Sequence, residues 1–145
     1  IKDPNIIKSS SKYFGSQCIV VAVDVKKDNI SWKVHSHGGT KNTNIDALDW
    51  LKKVEDLGAG EILLTSMDKD GTKSGFDLEI LSRASDILSI PVIASGGVGS
   101  IEHFYEGVKI GKADALLAAS VFHFNEFSIM DVKNYLKEKN IEVRI

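Results

Sequence analysis

Four short apolar runs, each closed by small or acidic residues, constrain this chain more than any other feature. They are residues 18–23, closed by Asp24; 61–65, closed by Ser66-Met67-Asp68-Lys69-Asp70-Gly71; 91–94, closed by Ser95-Gly96-Gly97-Val98-Gly99; and 114–118, closed by Ala119-Ser120. Runs this short, without polar alternation, suit strands buried on both faces of a parallel sheet. Pro91 opens its run, the position at which a missing N–H costs least.

The stretches between the runs carry a helical period. Residues 44–57 place Ile45, Leu48, Leu51, Val54 and Leu57 on one stripe, with Thr43 as the expected N-cap. Residues 77–88 carry Ile80, Leu81, Ala84, Ile87 and Leu88 in the same way. Ser100 is placed to cap a helix carrying Ile101, Phe104, Tyr105 and Val108, which Gly111 would end. Ser128, with Asp131 three residues on, opens a last helix that turns Ile129, Val132, Tyr135 and Leu136 inward. A first helix is expected over 4–14, with Pro4 in its first turn. Helix and strand alternate, which predicts an α/β fold with parallel strands. One excursion interrupts the rhythm. Residues 25–43 alternate through Ile30, Trp32 and Val34 and then meet Gly38-Gly39, and read as a hairpin or flap inserted in a βα loop. No linker or low-complexity stretch divides the 145 residues, so a single domain over 1–145 is expected.

Composition excludes several classes. Eighteen Lys and Arg against 20 Asp and Glu leave a net charge of −2 without a basic stripe, so nucleic acid is not an expected partner. No apolar run approaches the roughly 20 residues needed to cross a bilayer as a helix, so no membrane partner is expected either. The single cysteine, Cys18, cannot form an internal disulfide, and a reducing, cytoplasmic setting is the expectation. It opens an apolar run and is read as core packing. His35, His37, His103 and His123 lack a metal-ligand spacing, so neither a metal nor another cofactor is expected.

In a parallel α/β fold, function collects at the carboxyl ends of the strands. Those ends carry Asp24, Thr65-Ser66, Asp68, Asp70-Gly71-Thr72, Ser95-Gly96-Gly97 and Ala119-Ser120: hydroxyls, carboxylates and little bulk. Ser95-Gly96-Gly97 lets backbone N–H groups approach an anion closely, Gly71-Thr72 offers a further N–H, and helix N-termini after Gly97 and Ser120 would add their dipoles. Two such loops in succession point to a phosphate site. Asp24 is either a general acid or base, if burial raises its pKa, or a surface carboxylate capping the next turn. Asp70 carries the same ambiguity, because Asp-Gly is also a common turn.

Four blocks make the chain recognisable. They are residues 14–24, ending in Ala22-Val23-Asp24; residues 58–77, with Leu63-Leu64-Thr65-Ser66-Met67-Asp68-Lys69-Asp70-Gly71-Thr72-Lys73-Ser74-Gly75 at their centre; Ile93-Ala94-Ser95-Gly96-Gly97; and Ala118-Ala119-Ser120-Val121-Phe122-His123. Together they resemble the cyclase subunit of imidazole glycerol phosphate synthase, from Pro4 to Arg144. The resemblance implies a (β/α)8 TIM barrel that receives ammonia from a glutaminase subunit, with which it forms a heterodimer. That barrel closes an imidazole ring on a bis-phosphorylated intermediate, releasing imidazole glycerol phosphate and an aminoimidazole carboxamide ribotide. On the same basis Asp24 matches one of two catalytic aspartates, and Asp70 a further active-site carboxylate. Gly71, Gly97, Ala119 and Ser120 match a phosphate site, Thr65 and Ser95 pocket-lining polar positions, and Glu61 an ammonia gate.

Three departures accompany the likeness. A barrel of this type needs roughly 200–250 residues, so the 145 residues are expected to form the C-terminal half, strands five to eight, truncated on the N-terminal side and inactive alone. Gly38-Gly39-Thr40-Lys41 has Thr where many members have Arg, and Asp24-Val25-Lys26-Lys27-Asp28 differs from the usual histidine-pathway segment. These two changes fit a paralogous branch that supplies ammonia for amination of a cell-surface sugar. A non-enzymatic ammonia-channel or partner-binding module is a third reading. Unpaired sheet edges and an open apolar face lead us to expect self-association of such a half-barrel.

Overall fold

The computed structural model describes residues 1–144. In chain order the elements are α1 (Asn5–Phe14), β1 (Val20–Asp28), β2 (Ser31–Ser36), β3 (Lys41–Asp46), α2 (Ala47–Asp56), β4 (Glu61–Ser66), α3 (Leu78–Ile87), β5 (Val92–Ser95), α4 (Glu102–Lys109), β6 (Ala115–Leu117), α5 (Ser120–His123) and α6 (Ile129–Glu138). They form one six-stranded sheet in the order β3-β2-β1-β4-β5-β6. The four apolar runs are its parallel strands β1, β4, β5 and β6, as expected.

Because each parallel strand adds on the same side of the last, right-handed crossovers deliver the intervening helices to one face of the sheet. The strand residues facing them are Val23, Val25, Ile62, Leu64, Val92 and Ala94, all buried. Leu51 and Val54 of α2 and Ile80, Leu81 and Ala84 of α3 complete this core. The alternate strand positions point to the other face, which no helix among the described residues covers, and there Val20 is 49% and Leu117 42% exposed. The strands are therefore buried on one face only, whereas continuous apolar runs had suggested two.

The excursion at 25–43 is a hairpin, and its role is larger than a flap in a loop. β1 runs on past Asp24, β2 pairs antiparallel with its far half, and β3 pairs with β2, so the hairpin extends the sheet. This alters the start of the following helix. Residues 44–46 belong to β3, and the N-cap of α2 is Asp46, whose carboxylate accepts from the N–H groups of Leu48 and Asp49. Thr43, expected as the cap, instead donates its hydroxyl to the Val34 carbonyl at 2.7 Å. A β-branched residue suits a strand and its hydroxyl finds a partner there, so the cap falls to the next short carboxylate.

Other expectations divide. Ser128 and Asp131 form the reciprocal capping box at α6, and hydrogen bonds from Ser128 hold the Asp131 carboxyl below its ordinary pKa. Ile129, expected inward, is 60% exposed; Val132 and Leu136 make the buried face. Ser100 does not cap α4: its N–H and that of Gly99 both donate to Nδ1 of His103, at 3.2 and 3.1 Å. Cys18 lies in a 3-10 turn before β1 and is exposed, because the strand begins at Val20. It is not a core residue. Lys27 pairs with Glu79 at 2.8 Å and lies 4.8 Å from the Trp32 ring centroid. No helix among the described residues is long and apolar enough to cross a membrane.

Candidate functional site

Strand register brings the site together. Asp24 lies opposite Thr65, Thr65 opposite Ser95, and Ser95 opposite Leu117, so one rung crosses four strands at their carboxyl ends. Residues on one rung point to one face, here the face without helices. The rung below is apolar: Ala22, Leu63, Ile93 and Ala115. Asp24, Thr65 and Ser95 are each half-buried, their strand positions fixed by a ladder rather than by loops. Glu61 begins β4 opposite Val20, on the same face as Thr65 but about 13 Å away along the strand. It therefore stands at the opposite end of the sheet from the rung, as its place in the sequence implied.

Beside this rung is a cavity of about 240 Å³, lined by Asp70, Gly71, Lys73, Ser95, Gly96, Gly97, Val98, Leu117, Ala118, Ala119 and Ser120. Asp70, Gly71, Ser95, Gly96, Gly97, Ala119 and Ser120 are all in that set, whereas Asp24, Thr65 and Thr72 are not. A larger concavity, about 770 Å³, lies along Lys137 and residues 140–144 and contains none of the strand-end residues. The smaller one holds the convergent polar groups.

Glycines make the cavity by letting two loops touch. Gly97 has φ +102°, and a Cβ there would stand 2.1 Å from the Gly75 carbonyl oxygen. The pair is also bonded, with the Gly75 N–H donating to the Gly97 carbonyl at 2.8 Å. Gly96, at φ +92°, brings its backbone against the Ser66 carbonyl and the Asp70 side chain. The loop after β4 is thereby seated on the loop after β5. Helix dipoles contribute less than the sequence suggested. α4 starts only at Glu102, beyond Gly97 by more than a turn, and α5 is a single turn of four residues. What the cavity offers an anion is backbone and side-chain donors together with Lys73.

Behind the rung is a hydrogen-bond junction that the sequence does not announce. Oδ2 of Asp77 accepts from the Trp32 indole N–H at 3.1 Å and from the Ser66 hydroxyl at 3.0 Å, while Oδ1 caps α3 through the N–H of Ile80 at 3.4 Å. Ser66 is buried, as is Trp32. One carboxylate thus ties the hairpin, the end of β4 and the start of α3 together. Asp68, in the same loop, accepts from the Lys27 N–H at 2.7 Å and so holds β1 rather than lining the cavity. The sequence marks Asp77 only as a helix start, since a contact 45 residues away leaves no local trace. Among the described residues no group of three or more His, Cys, Asp or Glu is arranged to hold a metal ion.

The family model for histidine biosynthesis protein matches residues 1–128. The chain belongs to that family of barrel enzymes, and its four parallel βα units are part of such a barrel.

Proposed function

We propose that this member of the histidine biosynthesis family serves as the cyclase part of a glutamine-dependent synthase. In this reading ammonia from a glutaminase subunit closes an imidazole ring on a phosphorylated substrate. The observation that carries it is the rung Asp24–Thr65–Ser95 with a glycine-built cavity at its end. A ring closure of this kind needs a proton carrier at the reacting carbons and an anchor for the phosphoryl group. Adjacent strands are about 4.8 Å apart, so Asp24 lies two strands, about 10 Å, from Ser95 and the cavity wall. That separation suits a substrate whose phosphate is held in the cavity while its reacting centre lies over the rung. Asp24 would carry the proton, Thr65 and Ser95 would orient the substrate, Gly71, Gly96, Gly97, Ala119 and Ser120 would surround the phosphate, and Asp70 would be a further carboxylate toward the rest of the substrate. Glu61, at the far end of the same face, is where ammonia from the partner would enter.

One observation favours a second reading, in which the acceptor is an activated sugar. Thr40, at the hairpin tip, donates its hydroxyl to the His37 carbonyl at 2.9 Å, so it closes the turn instead of reaching outward as an arginine would. Complementation of a histidine auxotroph by the gene that carries this chain separates the two. Growth that is lost with Asp24→Asn supports the cyclase, and absence of growth with a stably folded product refutes it.

A further inference from the structure

We propose that Lys73 is the side chain that contacts the anion in the strand-end cavity, and that Glu126 competes with the anion for its ammonium as a latch across the cavity mouth. The inference rests on the phosphate-pocket reading above and adds a residue and a mechanism to it.

Of the lining residues only Lys73 is cationic, while Asp70 brings a carboxylate to the same wall. An anion entering such a cavity meets like charge unless a cation offsets it. Lys73 is fixed at its backbone, while its side chain is half exposed. Its φ is +57°, unusual for a residue with a side chain, and its carbonyl is so close to Gly99 that a Cβ on Gly99 would lie 2.3 Å from that oxygen. Its ammonium leaves the cavity wall and pairs with the Glu126 carboxylate, while the side chains remain 51% and 33% exposed.

Glu126 is well anchored in turn. Its N–H donates to the Val121 carbonyl at 2.9 Å, and the next residue, Phe127, packs edge-on against Phe104 and Phe122 with centroids 6.0 and 5.8 Å apart. The ion pair therefore joins the loop after β4 to the segment between α5 and α6. An exposed ion pair is weak and costs little to break. A lysine, with a flexible stem and three donors, exchanges readily between a carboxylate and a phosphoryl oxygen. Occupation of the cavity by an anion would thus open the Lys73–Glu126 contact and free the two loops from one another.

The test is titration of the whole chain with inorganic phosphate at fixed low ionic strength, for the native protein, Lys73→Met, Glu126→Gln and the double variant. Losing a charged donor to the anion should weaken binding about tenfold in Lys73→Met. Removing the competitor should tighten binding about threefold in Glu126→Gln. The double variant should bind as Lys73→Met does, because Glu126 acts only through Lys73. Tightening that persists in the double variant would show a general field effect and overturn the latch, as would affinities indifferent to either residue. Those results leave saturable phosphate binding, and with it the pocket, intact. A native chain that takes up no phosphate overturns the pocket itself.

Discussion

Gly97 is the position at which the architecture of the cavity can be broken with one methyl group. In Gly97→Ala the new Cβ meets two penalties. The φ of +102° lies where L-residues are strained, which costs about 1–2 kcal/mol. The Cβ would also sit 2.1 Å from the Gly75 carbonyl oxygen and 3.0 Å from the Lys69 Cβ. Ordinary contact requires the loops to separate by about 1 Å, which disrupts the 2.8 Å bond between the Gly75 N–H and the Gly97 carbonyl, worth about 1 kcal/mol. With the lost packing, the total is about 3–4 kcal/mol. Gly38→Ala is the control, since Gly38 has φ +61° and nothing within 4 Å of where a Cβ would stand, so it incurs the backbone cost alone. Urea unfolding measures both. With a slope of about 1–3 kcal/mol per molar, Gly97→Ala should lower the midpoint by more than about 1 M, and by about two to three times the effect of Gly38→Ala. Equal shifts for the two variants would refute the argument that loop-on-loop contact builds the cavity.

Two further outcomes follow from elsewhere in the fold. Burial opposes ionisation of Glu55, but hydrogen bonds from Lys52 and from the Ser89 hydroxyl and N–H outweigh it and hold the carboxyl at about 2, below its ordinary 4.5. A depressed carboxylate contributes its stability above the unfolded pKa and loses it as the pH falls toward the folded one. Glu55→Gln should therefore cost on the order of 2 kcal/mol at neutral pH, and the gap from the native chain should close between about 4.5 and 2; a gap independent of pH would contradict this. The uncovered face, with Leu63 beside Ile93 on one rung and Val20 and Leu117 exposed on the rungs to either side, should drive the 15.9 kDa chain to associate in sedimentation equilibrium, and Leu117→Lys should weaken that association. A single 15.9 kDa species at all concentrations would count against it.

Local signals are legible wherever local physics decides. The Ser128–Asp131 box and the buried Leu51, Val54, Ile80, Leu81 and Ala84 need only near neighbours and appear as expected, whereas Ile87, placed on the same α3 stripe, is 40% exposed and α2 also buries Ala47 and Trp50. Where two residues compete for one role, the sequence is ambiguous: Thr43 and Asp46 are both good caps, and the choice is made by β2, whose Val34 carbonyl accepts from Thr43. Cys18 shows the same limit, since only the pairing of Val20 with Glu61 fixes where β1 begins. His103 has no metal-ligand spacing around it, yet its ring serves the backbone by accepting two N–H groups ahead of α4.

The site divides along the same line. Each strand end reads as small and polar, but that Asp24, Thr65 and Ser95 share a rung depends on pairings between segments 30 to 41 residues apart. Gly75 is one more loop glycine in the sequence, whereas its carbonyl forms the floor on which Gly97 rests. Lys73 sits in the middle of the most recognisable block without standing out, because a lysine in a polar loop is ordinarily a solvated charge. Only its left-handed backbone, its place on the cavity wall and its carboxylate partner 53 residues away give it a role. A motif thus indicates which chemistry the strand ends can host, and the long-range contacts decide which side chains are held within reach of it.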